Sequence, residues 1–187
     1  MKTAEGRNPG DPEPRDLVER VIRVDQAGEF GAVRIYEGQL AALRWTNRSR
    51  TDTHRKIAAM ARAEREHRRV FDKMLVERRV RPTVLSPLWS LAGFGLGAVT
   101  ALMGDKAAMA CTVAVEETID EHYASQAAQL GDDEAELRST VGRTRRSTSS
   151  LSNTRRCSRS ARAMAEILRW VSVRVRPVQR SAASWPS

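Results

Sequence analysis

Four side chains in this 187-residue sequence have the types and spacing to bind a metal ion: Glu29, Glu64, His67 and Glu116. Glu29 sits in Asp25-Gln26-Ala27-Gly28-Glu29-Phe30-Gly31-Ala32, an acid between two glycines in a run of otherwise core-like residues. Glycine costs a helix interior about 1 kcal/mol relative to alanine, so the flanking pair predicts a close approach to the backbone beside Glu29. Glu64 and His67 are three apart and project from one helix face. Met60 and Phe71 continue that face, which places the pair on the buried side. Glu116 ends the apolar run Thr112-Val113-Ala114-Val115-Glu116-Glu117, and Tyr123 shares its face seven residues on. Carboxylates and an imidazole in an apolar core are costly unless their desolvation is compensated, and a metal ion compensates it directly.

Taken singly, each residue has an ordinary explanation. Glu64 lies in a heavily charged run and could pair with Arg68 on a solvated face. Glu29 could be a core acid paired with Arg23 or Arg34, and Glu116 or Glu117 the wet edge of a helix. Met60, Met74, Met103 and Met109 read as packing residues, and His54 as exposed. What favours the metal is the combination of one, two and one candidate ligands on successive helices. In carboxylate-bridged di-iron bundles two helices give one Glu each and the other two give Glu-x-x-His each.

The elements that must position these residues are helical. Pro14 and Asp16 open a first helix, with Asp16-x-x-Glu19 expected as a capping box. Val18, Val21, Ile22, Ala32, Val33, Ile35, Tyr36, Leu40 and Leu43 keep a 3.6-residue rhythm to about Trp45. After a polar turn, a second helix is expected over residues 52–80, with Ile57, Met60, Ala61, His67, Val70, Phe71, Met74 and Leu75 facing inward. Arg81-Pro82 stops it. Residues 82–104 carry no charge and are long enough to cross a bilayer. Pro82, Pro87, Gly93, Gly95, Gly97 and Gly104 interrupt the run, so a helix buried in the core or lying in the membrane interface is expected instead. A further helix runs over residues 106–130, ended by Gly131, and a short fourth bundle helix over residues 134–141. Strand signals are weak, and short connections favour antiparallel neighbours. The expected fold is an all-α four-helix bundle.

The net charge of +9 would suggest a nucleic-acid or anionic-membrane partner, but it is confined to one end. Residues 1–138 hold 21 Lys and Arg against 22 Asp and Glu, a net −1; residues 139–187 hold 11 Arg and one acid, Glu166, a net +10. Residues 1–15 read as a disordered leader with no signal or transit peptide, residues 16–141 as the bundle, and residues 142–187 as an Arg/Ser-rich tail. Cys111 and Cys157 give no disulfide framework, so a reducing, cytoplasm-facing compartment is expected.

Three segments carry a family likeness. Arg23-Val24-Asp25-Gln26-Ala27-Gly28-Glu29-Phe30-Gly31-Ala32, Arg79-Val80-Arg81-Pro82-Thr83-Val84-Leu85-Ser86-Pro87-Leu88-Trp89 and Ala108-Met109-Ala110-Cys111-Thr112-Val113-Ala114-Val115-Glu116-Glu117 closely resemble the demethoxyubiquinone hydroxylase family, from about Asp16 to Leu137. The resemblance implies a ferritin-like bundle with an added interfacial helix, bound peripherally at the cytoplasmic face of the cell membrane. It implies O₂-dependent hydroxylation of a polyprenyl benzoquinol at a two-iron site, with NADH as a reductant and other ubiquinone-biosynthesis proteins as partners. Residue by residue it places Glu29, Glu64, His67 and Glu116 on four of six iron ligands and His122-Tyr123 beside the site. It places residues 82–104 along the membrane route for the prenyl tail.

The family's remaining Glu-x-x-His does not occur in this sequence. No histidine follows His122, no acid lies between Glu136 and Glu166, and Glu166 is followed three residues later by Arg169. The simplest account is a shift of reading frame near Val141 or Gly142, in which case the basic tail is an accident of coding and no nucleic-acid partner is expected. Weak or single-iron binding and impaired turnover follow as expectations. The alternatives are an inactive quinone-binding or structural family member, a ferritin-type iron-storage bundle, and an Arg-rich nucleic-acid or lipid binder acting through residues 143–180.

Overall fold

In the computed structural model the structure describes residues 13–130, together with Glu134, Ala135, Leu137, Ser139 and Thr140. These form four helices in the order α1 (Pro14–Trp45), α2 (Asp52–Glu77), α3 (Ser86–Leu102) and α4 (Asp105–Gln129), with no strand among them. The all-α expectation holds. Of the expected leader, residues 1–12 lie outside the described residues, and Pro14 and Arg15 already belong to α1. The expected tail over residues 142–187 also lies outside them. Of the short helix expected over residues 134–141, the five described residues have helical backbone.

α1 is the hub, packing along α2 and α3 and more lightly against α4. Its inner stripe of Val21, Ile22, Ala32, Val33, Ile35, Tyr36, Leu40 and Leu43 is buried as the 3.6-residue rhythm predicts. Pro14 stands in the first turn, and Glu13 in the N-cap position makes no side-chain cap. The proline's fixed φ starts the helix early, so Asp16 lies in the first turn and the expected capping box does not form. Arg15 pairs with Glu19 instead.

Both α1 and α2 end in the same local device. Asn47 takes φ 58°, with Asn47 N–H donating to Arg44 O and Arg48 N–H to Leu43 O. Arg79 takes φ 54°, with Arg79 N–H donating to Val76 O and Val80 N–H to Leu75 O. These paired bonds satisfy helix-end carbonyls around a left-handed residue, and buried Val80 and Leu75 add the apolar contact. α2 therefore stops at Glu77, before the Arg81-Pro82 brake expected from the sequence. Val70, expected to face inward, is exposed. At its start, Thr51 caps α2 by accepting from His54 N–H at 3.2 Å.

Within the uncharged stretch, α3 is one continuous helix. Pro87 lies in the first turn of α3, where a missing N–H costs nothing. Glycines on its inner side let its backbone lie directly on α1. A Cβ at Gly38 would come 2.1 Å from Phe94 O, and one at Gly97 would come 1.9 Å from Ile35 O. Among the described residues no helix is long and apolar enough to cross a membrane. At the far end, Arg48 bonds Asp105 at 2.9 Å and Ala101 O at 2.5 Å, and Thr53 donates to Asp105 at 3.0 Å. This ties the α1–α2 turn to the α3–α4 corner.

The helix crossing is testable. Gly38→Ala or Gly97→Ala forces backbone apart and is expected to cost about 3 kcal/mol or more, read by chemical denaturation. Gly95→Ala, where a Cβ meets nothing within 4 Å, should be neutral or stabilising by up to about 1 kcal/mol. Equal stability of all three variants would contradict the close crossing.

Candidate metal centre

Three helices bring the candidate ligands to one buried place. Glu29 comes from α1, Glu64 and His67 from α2, and Glu116 from α4; each of the three glutamates is only 1% exposed. One ligand atom from each of Glu29, Glu64 and His67 lies within 4.8 Å of the other two. His67 Nδ1 is 3.4 Å from Glu64 Oε2 and 3.9 Å from Glu29 Oε2.

Two tyrosines hold the carboxylates from behind. Tyr123 OH donates to Glu29 Oε1, and Tyr36 OH donates to Glu116 Oε1 at 2.6 Å. Tyr123 is itself stacked on Phe71, with ring centroids 6.2 Å apart. The remaining atoms have no hydrogen-bond partner: Glu29 Oε2, both Glu64 oxygens, His67 Nδ1 and Glu116 Oε2. A buried polar atom left unpaired costs about 1–3 kcal/mol. Five such atoms from four residues in one core are what a bound cation would satisfy. Four side chains offering oxygens and one imidazole nitrogen form a mixed N/O donor set suited to a first-row metal.

The electrostatics agree. Burial pushes the Glu29 carboxyl well above the usual range, and the neighbouring Glu64 carboxylate adds to this while Tyr123 opposes it. Burial and then Glu64 push Glu116 up to about 8, against the Tyr36 hydrogen bond. At Glu64 burial also raises the pKa, but Glu29 and His67 together outweigh it and the net shift is downward. Burial and the adjacent carboxylates hold Tyr36 and Tyr123 well above the usual phenol range, so both stay hydrogen-bond donors.

The ordinary explanations do not describe the structure. Arg68 pairs with Asp72 at 3.2 Å and lies over the Phe30 ring, and so does not serve Glu64. Arg23 serves Glu19 and Arg81 O, and Arg34 serves Glu37, so neither reaches Glu29. Glu117 is exposed and Glu116 is not. Met60 and Met74 are core residues, whereas Met103 is exposed against expectation. His54, expected on the surface, is partly buried with Nε2 unpartnered.

One further expectation needs correction. Among the described residues, nothing lies within 4 Å of a Cβ built at Gly28 or Gly31. The tightest approach is at Gly38 and Gly97, and α3 also reaches the backbone beside Glu29, where a Cβ at Gly93 would lie 3.3 Å from Gly31 O. His122, expected beside the site and not as a ligand, is partly buried, and burial, opposed by Glu121, lowers its pKa. Only Tyr123 of the His-Tyr pair touches a candidate ligand.

Sequence reasoning gave no role to Asp25 or Tyr36, although both share the face of Glu29 at helical spacing. Asp25 is buried with Oδ2 unpartnered. Burial pushes it from 3.8 to about 8, against the effect of the Gln126 amide beside it.

Residues 16–171 match the family described as ubiquinone biosynthesis protein COQ7. The chain belongs to the COQ7 family. It is 55% identical over 145 residues to the 3-demethoxyubiquinol 3-hydroxylase of Rhodospirillum rubrum, covering 78% of this chain and 66% of that one. It is 55% identical over 130 residues to the mitochondrial NADPH-dependent 3-demethoxyubiquinone 3-hydroxylase of Dictyostelium discoideum, covering 68% and 58%. With the human protein of that same name the identity is 51% over 122 residues, covering 65% and 54%. The chain thus spans between half and two thirds of the length of these relatives. The COQ7 match also continues past Leu137, where the likeness read from the sequence ends. The relatives' names describe hydroxylases and lend no support to an impaired or merely quinone-binding member.

Asp25 gives a stability test. Its folded pKa of about 8 exceeds the ordinary 3.8, so between these values the folded chain keeps a proton that the unfolded chain has lost. Asp25 therefore lowers stability as pH rises through that window. In thermal denaturation of the metal-free chain, Asp25→Asn should raise Tm at pH about 8 and flatten the fall between pH about 4 and 8. Parallel profiles for the two proteins would contradict this account.

Proposed function

We propose that this chain hydroxylates the ring of a demethoxyubiquinol in ubiquinone biosynthesis, using O₂ and iron held by Glu29, Glu64, His67 and Glu116. The observation that carries the reading is the buried Glu29–Glu64–His67 group, its ligand atoms within 4.8 Å and without hydrogen-bond partners, in a chain of the COQ7 family. A ring C–H becomes C–OH, the second oxygen atom leaves as water, and the reaction takes up two electrons and two protons. The names of the Dictyostelium and human relatives give NADPH dependence, and a nicotinamide cofactor, NADPH or NADH, is the proposed electron source here. The chemistry that iron supplies when bound is reductive activation of O₂.

The chain's own residues have separate tasks. Glu29 and Glu116 must give up their protons to bind a cation, so metal uptake releases protons. Tyr123 and Tyr36 each fix one carboxylate oxygen and leave the other free for the metal. The apolar walls around Phe71 and Tyr123 exclude bulk water from the reacting ring. The outer face of α3 exposes Leu88, Leu91, Val99, Leu102 and Met103. We seat the prenyl tail and the cytoplasmic membrane surface on this face, where each leucine buried would contribute about 2 kcal/mol.

The test is turnover of a demethoxyubiquinol with isotopically labelled O₂ and NADPH or NADH, followed by mass spectrometry. One labelled oxygen should enter the ring. His67→Ala should abolish product, and Tyr123→Phe should lower turnover about 10- to 100-fold. Leu88→Glu with Leu91→Glu should spare short-tailed substrates and slow long-tailed ones presented in vesicles. Unlabelled product, or full turnover by His67→Ala, would refute the proposal.

A further inference from the structure

We infer that this 187-residue chain holds a single metal ion and not a coupled pair, an inference that rests on the metal reading above. The donor supply decides it. A first-row ion takes on the order of four to six donor atoms. The site offers five unpartnered atoms, only one of them nitrogen: Glu29 Oε2, both Glu64 oxygens, His67 Nδ1 and Glu116 Oε2. The remaining oxygens of Glu29 and Glu116 already accept from Tyr123 and Tyr36. Among the described residues, Glu29, Glu64 and His67 form the one group with metal-binding spacing.

A second ion would need its own imidazole, and the bundle template takes it from a second Glu-x-x-His. The sequence contains three histidines. His54 lies thirteen residues before His67 on α2, roughly 20 Å along the helix axis. His122 follows Glu116 by six residues on α4, which turns it about 120° away from that face. Residues 123–187 contain no histidine, and no acid occurs between Glu136 and Glu166. What is left for a second position is Glu116 Oε2 with a share of Glu64, and Asp25 Oδ2 on the face of Glu29. These scattered carboxylate oxygens, with no nitrogen among them, are too few to hold a second first-row ion against water.

The full chain is loaded anaerobically with Mn(II), and bound metal is counted by elemental analysis. Paramagnetic resonance then distinguishes an isolated ion from an exchange-coupled pair. About one ion per chain, an isolated signal, and loss of both in His67→Ala and Glu64→Ala are expected. Two ions per chain, or a coupled signal, would overturn the single-ion inference while leaving the metal reading intact. No bound metal in a folded chain, checked by circular dichroism, would overturn both.

Discussion

Glu29, Glu64 and Glu116 sit in an apolar core where no Arg or Lys among the described residues pairs with them. Burying an ionised carboxylate without a partner costs far more than one side chain's packing can return. Without a cation the site has only partial remedies. Glu29 and Glu116 are pushed toward their protonated forms, and Glu64 draws on Glu29 and His67. A cation resolves all of them together, and the tyrosine hydroxyls behind two of the carboxylates leave oxygens free for it.

The scaffold can be understood as what keeps that arrangement rigid. α1 carries Glu29 and, seven residues on, Tyr36, so one helix face supplies a candidate ligand and the hydrogen bond that orients another on α4. α2 contributes an i, i+3 pair, and α4 contributes Glu116 with Tyr123, which returns to Glu29. Each helix therefore supports a side chain of another. α3 gives no candidate ligand, but its glycine contact with α1 at Gly38 and Gly97 covers the opposite side of the hub. The Arg48–Asp105 bond locks the corner where α3 hands over to α4.

The candidate site was largely legible because its signals are local. Acid and imidazole at i, i+3 between Met60 and Phe71, and Glu29 on the stripe of Ile22 and Tyr36, follow from helical periodicity alone. Features that depend on the third dimension were not legible. Nothing in the local pattern distinguishes Gly28 and Gly31, where an added Cβ would meet nothing, from Gly38 and Gly97, where it would meet backbone. The end of α2 depends on Arg79 adopting a left-handed conformation that its type does not advertise. Val70 and Met103 are apolar yet exposed, and Asp25 is acidic yet buried, because hub packing outweighs composition at those positions.

The proposed function turns on whether Glu29, Glu64 and His67 enclose a metal ion. The most direct measurement is anomalous diffraction at a metal absorption edge from crystals of the metal-loaded chain. The account predicts a peak bonded to Glu29 Oε2, a Glu64 oxygen and His67 Nδ1. A peak elsewhere, or metal-loaded crystals with the three side chains closed on one another and no peak between them, would contradict it.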